Sequence, residues 1–212
     1  MVGKGASVGE RGKGETRMRR TTLLMVAMAA ALLVASGVAL AVTKTGTNGP
    51  DTLVGTDGRD TLEGRGGPDS ILGVGGNDRM AGGTGPDSMD GGDGNDQMLG
   101  GPATRTGVEK PAASDSMSGG KGDDFMDGAE GADSIAGGPG DDTLADGEAR
   151  RGARDTLSGG SGKDTLLPVN KPAGKDVVSC GPGRDKVFAD RADVIADDCE
   201  KVLFRFPRDS DF

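Results

Sequence analysis

Six aspartates fall at an unbroken spacing of nine residues: Asp51, Asp60, Asp69, Asp78, Asp87 and Asp96. Each follows a glycine by two positions and precedes an aliphatic residue by two. Glycines let the chain turn tightly and bring backbone close to backbone, so the carbonyl oxygens of such a turn can be aimed inward. Carboxylates and carbonyls together form a hard-oxygen donor set. That set suits Ca2+, with its flexible coordination by six to eight oxygens, better than Mg2+, which demands a rigid octahedron. The chain has no histidine and only two cysteines, which argues against zinc, against a histidine general base and against a familiar nucleophilic triad.

Positioning these carboxylates is the task of a nonapeptide skeleton. From Gly46 the blocks read GTNGPDTLV, GTDGRDTLE, GRGGPDSIL, GVGGNDRMA, GGTGPDSMD and GGDGNDQML. After residues 100–109 the register resumes as KPAASDSMS, GGKGDDFMD, GAEGADSIA and GGPGDDTLA. RRGARDTLS and GGSGKDTLL follow, then KPAGKDVVS and CGPGRDKVF. All fourteen blocks carry Asp at position six and an aliphatic residue at position eight. The later aspartates are Asp115, Asp124, Asp133, Asp142, Asp155, Asp164, Asp176 and Asp185. Position four is glycine in twelve blocks, with Ala113 and Ala153 as the exceptions. Each block thus reads as a turn, a carboxylate and a three-residue strand with one side chain facing inward. Internal repeats of this kind point to a solenoid.

The pattern Gly-Gly-x-Gly-x-Asp-x-aliphatic-x resembles the calcium-binding nonapeptide repeat of the RTX (repeats-in-toxin) family over residues 46–188. The resemblance implies an all-β, right-handed parallel β-roll with two blocks per coil, so that each block stacks on the next but one. It also implies calcium ions held between stacked turns by pairs of the fourteen aspartates and by turn carbonyls. One edge would stack Asp51–Asp69–Asp87 and the other Asp60–Asp78–Asp96. Asp115 would then stack on Asp133, and Asp124 on Asp142. Lys110-Pro111, Arg150-Arg151 and Lys171-Pro172 stand where the glycine pair is expected, which predicts poorer sites at Asp115, Asp155 and Asp176.

Composition supports a metal-dependent fold. Glycine makes up 41 of 212 residues, aromatic residues are 2%, and there is no Trp or Tyr. Such a chain has little apolar surface to set against the entropy of ordering it. The expectation is a chain disordered without calcium that folds on binding it, the binding energy being folding energy. The net charge is −9. Residues 1–41 hold six basic and two acidic residues, so the remainder is more acidic still, which disfavours nucleic acid as a partner and favours cations.

Residues 18–41 (MRRTTLLMVAMAAALLVASGVALA) have the basic start, apolar run and Ala-x-Ala end of a secretory signal, with cleavage expected after Ala41 and Met18 as a candidate natural start. A membrane association would arise only if Leu23–Val42 stayed uncleaved as an anchor. The expected organisation is a signal over 1–41, a β-roll over 42–188 (repeats at 46–99, 110–145, 150–167 and 171–188), and a cap and tail over 189–212. Cys180 and Cys199 both lie in the expected exported part and are read as a disulfide. Val187, Phe188, Val194, Ile195, Val202, Leu203 and Phe204 supply the densest apolar set after the signal, suited to closing a solenoid end. Asp190, Asp193, Asp197 and Asp198 are read as solvated surface charge, with a further cation site as the alternative.

Three weaker signals fail. Gly162-Lys163 is followed by Asp164 where a phosphate loop needs Ser or Thr. The acidic runs lack the alternating ligands and terminal Glu of an EF-hand. Met80, Met89 and Met98 follow the nonapeptide spacing and read as core filler. The reading is a secreted calcium-binding repeat protein, not an enzyme. The alternative is a cell-surface structural or adhesive protein that calcium stiffens and that binds a protein or glycan.

Overall fold

The computed structural model describes residues 39–101, 113–147, 153–168 and 174–204. Most of the expected signal (residues 1–38) and the tail from 205 lie outside them. The described chain is an all-β parallel solenoid of about eight turns in two facing sheets. One sheet has nine strands: β1 (Thr43–Thr45), β3 (Thr61–Gly66), β5 (Arg79–Thr84), β7 (Gln97–Leu99), β9 (Phe125–Asp127), β11 (Thr143–Ala145), β13 (Thr165–Leu167), β15 (Lys186–Ala189) and β17 (Lys201–Phe204). The other has eight: β2 (Thr52–Val54), β4 (Ser70–Gly75), β6 (Ser88–Asp93), β8 (Ser116–Lys121), β10 (Ser134–Pro139), β12 (Thr156–Ser161), β14 (Val177–Ser179) and β16 (Val194–Ile195). Consecutive strands alternate between the sheets, and every pairing is parallel to the next strand but one, as two blocks per coil require.

Register follows position eight. Leu53 pairs with Ile71, Ile71 with Met89 and Met89 with Met117 in one sheet. Leu62 pairs with Met80, Met80 with Met98 and Met98 with Met126 in the other. From β2 to β15 each strand buries its position-eight residue and, apart from Ala81 in β5, exposes or half-exposes that residue's neighbours, so the two columns meet as one narrow core. A register slip of one residue would put threonine and serine inside and this core outside.

Both ends reach beyond the fourteen blocks. At the start, β1 places Lys44 in register with Leu62, where a core residue would stand, and the exposed Lys44 donates its Nζ to the Val54 carbonyl. At the far end, β16 and β17 extend the two sheets by one strand each. Ile195 stands in register with Val178, and Val202 with Val187; both pack against the core. Val194, Leu203 and Phe204 remain exposed, so only part of the expected apolar cap is buried. Cys180 and Cys199 form a disulfide in this region.

The extra residues between repeats enter at one edge only. In a regular turn, five positions separate the opening residue from the Asp, as from Gly46 to Asp51. The longer intervals run from Gly100 to Asp115, from Asp146 to Asp155 and from Pro168 to Asp176, and all three lead into strands of the eight-stranded sheet. On the opposite edge the described turns from Gly55–Asp60 through Cys180–Asp185 keep the regular length, and the last one, leading into β17, is shorter.

Candidate metal centre

All fourteen predicted aspartates stand at the two edges, in two continuous columns. Along the first, the N–H of Asp51 donates to Asp69 Oδ1 at 2.8 Å, that of Asp69 to Asp87 at 2.9 Å, and that of Asp87 to Asp115 at 2.8 Å. The series continues from Asp115 to Asp133 (2.8 Å), to Asp155 (2.6 Å) and to Asp176 (2.9 Å). Along the second, Asp60 donates to Asp78, Asp78 to Asp96 and Asp96 to Asp124 at 2.7–2.8 Å. Asp124, Asp142, Asp164 and Asp185 complete it at 2.8–2.9 Å. One carboxylate oxygen per residue therefore ties each coil to the one before it, and the expected stacking holds straight across the interruptions.

The second oxygen is left over. Oδ2 of Asp69, Asp78, Asp87, Asp96, Asp124, Asp133, Asp142, Asp155, Asp164 and Asp185 is buried without a hydrogen-bond partner. For Asp69, Asp78, Asp87, Asp96, Asp124, Asp142 and Asp164 it converges on another acceptor, a turn carbonyl. A Cβ added to Gly64 would fall within 3 Å of both Asp69 Oδ2 and the Gly82 carbonyl of the following coil. Gly73 stands likewise to Asp78 Oδ2 and the Gly91 carbonyl, and Gly119 to Asp124 Oδ2 and the Gly137 carbonyl. The opening glycine is thus the gap that lets two oxygens converge. Convergent buried acceptors without a donor are costly unless a proton or a cation lies between them. An all-oxygen set with formal negative charge fits calcium, so the residues present suit the ion their pattern implies.

Turn carbonyls add to the set. Gly94 sits at φ +141°, and a Cβ there would run into the Gly76 carbonyl of the preceding coil, which points along the roll axis. Only glycine accepts both that conformation and that approach. At position two, Arg65 (φ 78°) and Val74 (φ 88°) hold the left-handed conformation that glycine holds at Gly83 and Gly92. For a β-branched residue this is strain.

Burial dominates the electrostatics. It pushes the carboxyls of Asp78, Asp115, Asp142 and Asp155 up to about 6 and those of Asp87 and Asp124 up to about 7, against opposing hydrogen bonds from the preceding coil. Asp133 rises to about 8, with the Asp115, Asp155 and Asp127 carboxylates adding to burial. These are groups that resist carrying a charge alone.

The first coil differs. Asp51 Oδ2 accepts Thr47 N–H at 2.5 Å and its hydroxyl at 2.9 Å, and Asp60 Oδ2 accepts Thr56 N–H at 2.5 Å. Threonine at position two thus supplies the donors that later turns lack. The predicted weakness at Asp115 meets a different geometry. Gly100 and Gly101 open that turn, while Lys110-Pro111 lie outside the described residues: Gly100 donates to the Asp127 carbonyl at 2.9 Å, and its missing Cβ faces Asp115 Oδ2 and the Gly128 carbonyl. The extra residues enter inside the turn, after its glycine pair. Asp146 and Pro168 open the turns that lead to Asp155 and Asp176 in the same way.

Four residues of the edges escaped the pattern. Val42 N–H donates to Asp60 Oδ1 at 2.6 Å from the place an aspartate would hold, nine residues before Asp51. Asp193 Oδ1 accepts Asp176 N–H at 3.3 Å, and Glu200 accepts Asp185 N–H at 2.9 Å. Their spacings of 17 and 15 residues conceal them. Asp146, buried where an opening glycine is expected, is the fourth. Asp198, read as surface charge, accepts N–H bonds from Cys180 (3.2 Å) and Gly181 (3.0 Å), which hold its carboxyl below the usual range.

A profile of the RTX calcium-binding nonapeptide repeat matches the chain in four copies, at residues 45–80, 72–103, 112–144 and 152–167. No curated protein matches the chain.

Proposed function

The chain belongs to the RTX calcium-binding nonapeptide repeat family, and on that premise we propose that it is a secreted calcium-binding protein whose roll forms as Ca2+ enters between stacked turns. The observation that carries this reading is the row of buried Oδ2 atoms facing carbonyl oxygens with no donor between them. Ten buried Oδ2 atoms without a donor, seven of them converging on a turn carbonyl, give the metal-free chain a reason not to fold. Asp69 to Asp185 would hold the ions, which supply the positive charge these oxygens lack. Asp51 and Asp60, already bonded to Thr47 and Thr56, serve the N-terminal coil as hydrogen-bonding caps instead.

The carboxylates are consumed in a repeating scaffold, and the roll is a calcium-binding structural fold rather than a typical enzyme. Export is supported by the sequence of residues 18–41 and by the Cys180–Cys199 disulfide, which suits an oxidising compartment. Calorimetric calcium titration with far-ultraviolet circular dichroism tests the reading. The expected result is several ions bound and a gain of β signal between chelator and millimolar calcium. A spectrum unchanged between the two would refute folding on calcium.

A further inference from the structure

Asp146 follows β11 directly, in the place that Gly100 holds after β7 and Gly128 after β9. At those two positions a Cβ would point at Oδ2 of the turn's own aspartate, Asp115 or Asp133. At Asp146 the Cβ is present and carries a carboxylate. One oxygen each from Asp146, Asp155 and Asp176 lie within 4.8 Å of one another, and the three residues are 1%, 0% and 0% exposed. Asp155 turns Oδ1 to the preceding coil, where it accepts Asp133 N–H at 2.6 Å, and its buried Oδ2 has no hydrogen-bond partner. A regular turn brings together two carboxylates, one from each stacked coil. This turn brings together three.

We propose that Asp146, Asp155 and Asp176 form a tricarboxylate calcium site, distinct in composition from the repeat sites and the tightest in the chain. The proposal rests on the calcium reading above and adds a residue outside the nonapeptide pattern. Calcium affinity rises with the number of charged oxygen ligands, and among the described residues the clustered carboxylates are most numerous here. Nitrogen and sulfur donors are missing from the cluster, which favours calcium over zinc. The site joins the coil of β12 to that of β14, next to the disulfide-bearing end, so its occupancy would fix the C-terminal coils first.

The test is calorimetric titration of the full chain with CaCl2, comparing wild type with Asp146→Gly and Asp146→Asn. Asp146→Gly restores the glycine used at other turns and removes the third carboxylate. Asp146→Asn keeps the volume and removes only the charge. The expected wild-type isotherm shows one ion bound at least about tenfold more tightly than the rest. Both variants should lose that tight step, keep the weaker ones, and reach the wild-type circular dichroism at saturating calcium. Identical isotherms for all three chains would overturn the tricarboxylate site and leave the repeat reading standing. A wild-type chain that takes up no calcium would overturn both.

Discussion

Consider the chain in chelator as pH rises from about 5.5 to about 8. Without metal, the fold must accommodate buried Asp Oδ2 atoms that face other acceptors, and protons are the only available substitute for a cation. Burial raises Asp87 and Asp124 to about 7 and Asp133 to about 8. In an unfolded chain the same carboxyls titrate near their ordinary value of 3.8. Between those limits the folded state binds more protons than the unfolded one, so its stability falls as pH rises. A carboxyl raised to about 7 favours the metal-free roll by about 4 kcal/mol below pH 4, and that advantage is gone above pH 7. Solvent screening reduces the figure to about 2 kcal/mol per group. Three such groups, joined by those near 6, then rival the whole stability of a small domain, about 5–15 kcal/mol. The far-ultraviolet β signal in chelator should therefore be larger at pH 5.5 than at pH 8. Calcium added at pH 8 should restore it. A β signal that is flat or rises with pH in chelator would refute the argument, because the buried carboxylates would then not be opposing the metal-free fold.

Two further perturbations address the backbone and the C-terminal end. Val74→Gly should raise the thermal midpoint of the calcium-loaded chain, gaining about 1 kcal/mol by relieving a β-branched residue at φ 88°; an unchanged or lower midpoint would show that no strain is stored there. Reducing the Cys180–Cys199 bond, or replacing both cysteines with serine, should cost about 3 kcal/mol for a closed loop of this length, read as a lower denaturation midpoint in saturating calcium.

The repeat was legible because each residue in it answers to one physical demand. Asp at position six marks the ladder, and Leu, Ile, Met or Val at position eight marks the core; the structure keeps both without exception over the fourteen blocks. Within each uninterrupted run the stacking partners followed once the RTX resemblance supplied two blocks per coil. What stayed hidden did so where the side chain ceased to report the backbone. Val42 and Lys44 occupy ladder and core positions with the wrong chemistry, because an end coil has solvent on one side and fewer groups to satisfy. Asp193 and Glu200 have the right chemistry at irregular spacing. Lys110-Pro111 sat in register with a glycine pair, yet Gly100 and Gly101 open that turn, since a turn can lengthen after its glycines as readily as a chain can lengthen between blocks. Asp146 lies between two blocks, outside the nonapeptide pattern, and only the fold sets it against Asp155 and Asp176.

The placement of the extra residues at a single edge bears on how such a molecule can change. Doubling the length of an insertion costs about 0.6 kcal/mol in loop closure. The hydrogen bonds from Asp87 to Asp115 and from Asp96 to Asp124 remain at 2.7–2.8 Å across an insertion already present. One margin of the roll is therefore open to new sequence, natural or grafted, while the other keeps the pitch. A peptide spliced between Gly101 and Ala113 would be displayed from a parallel roll whose assembly, on the proposed reading, calcium would set, and several could be spaced along it by whole coils.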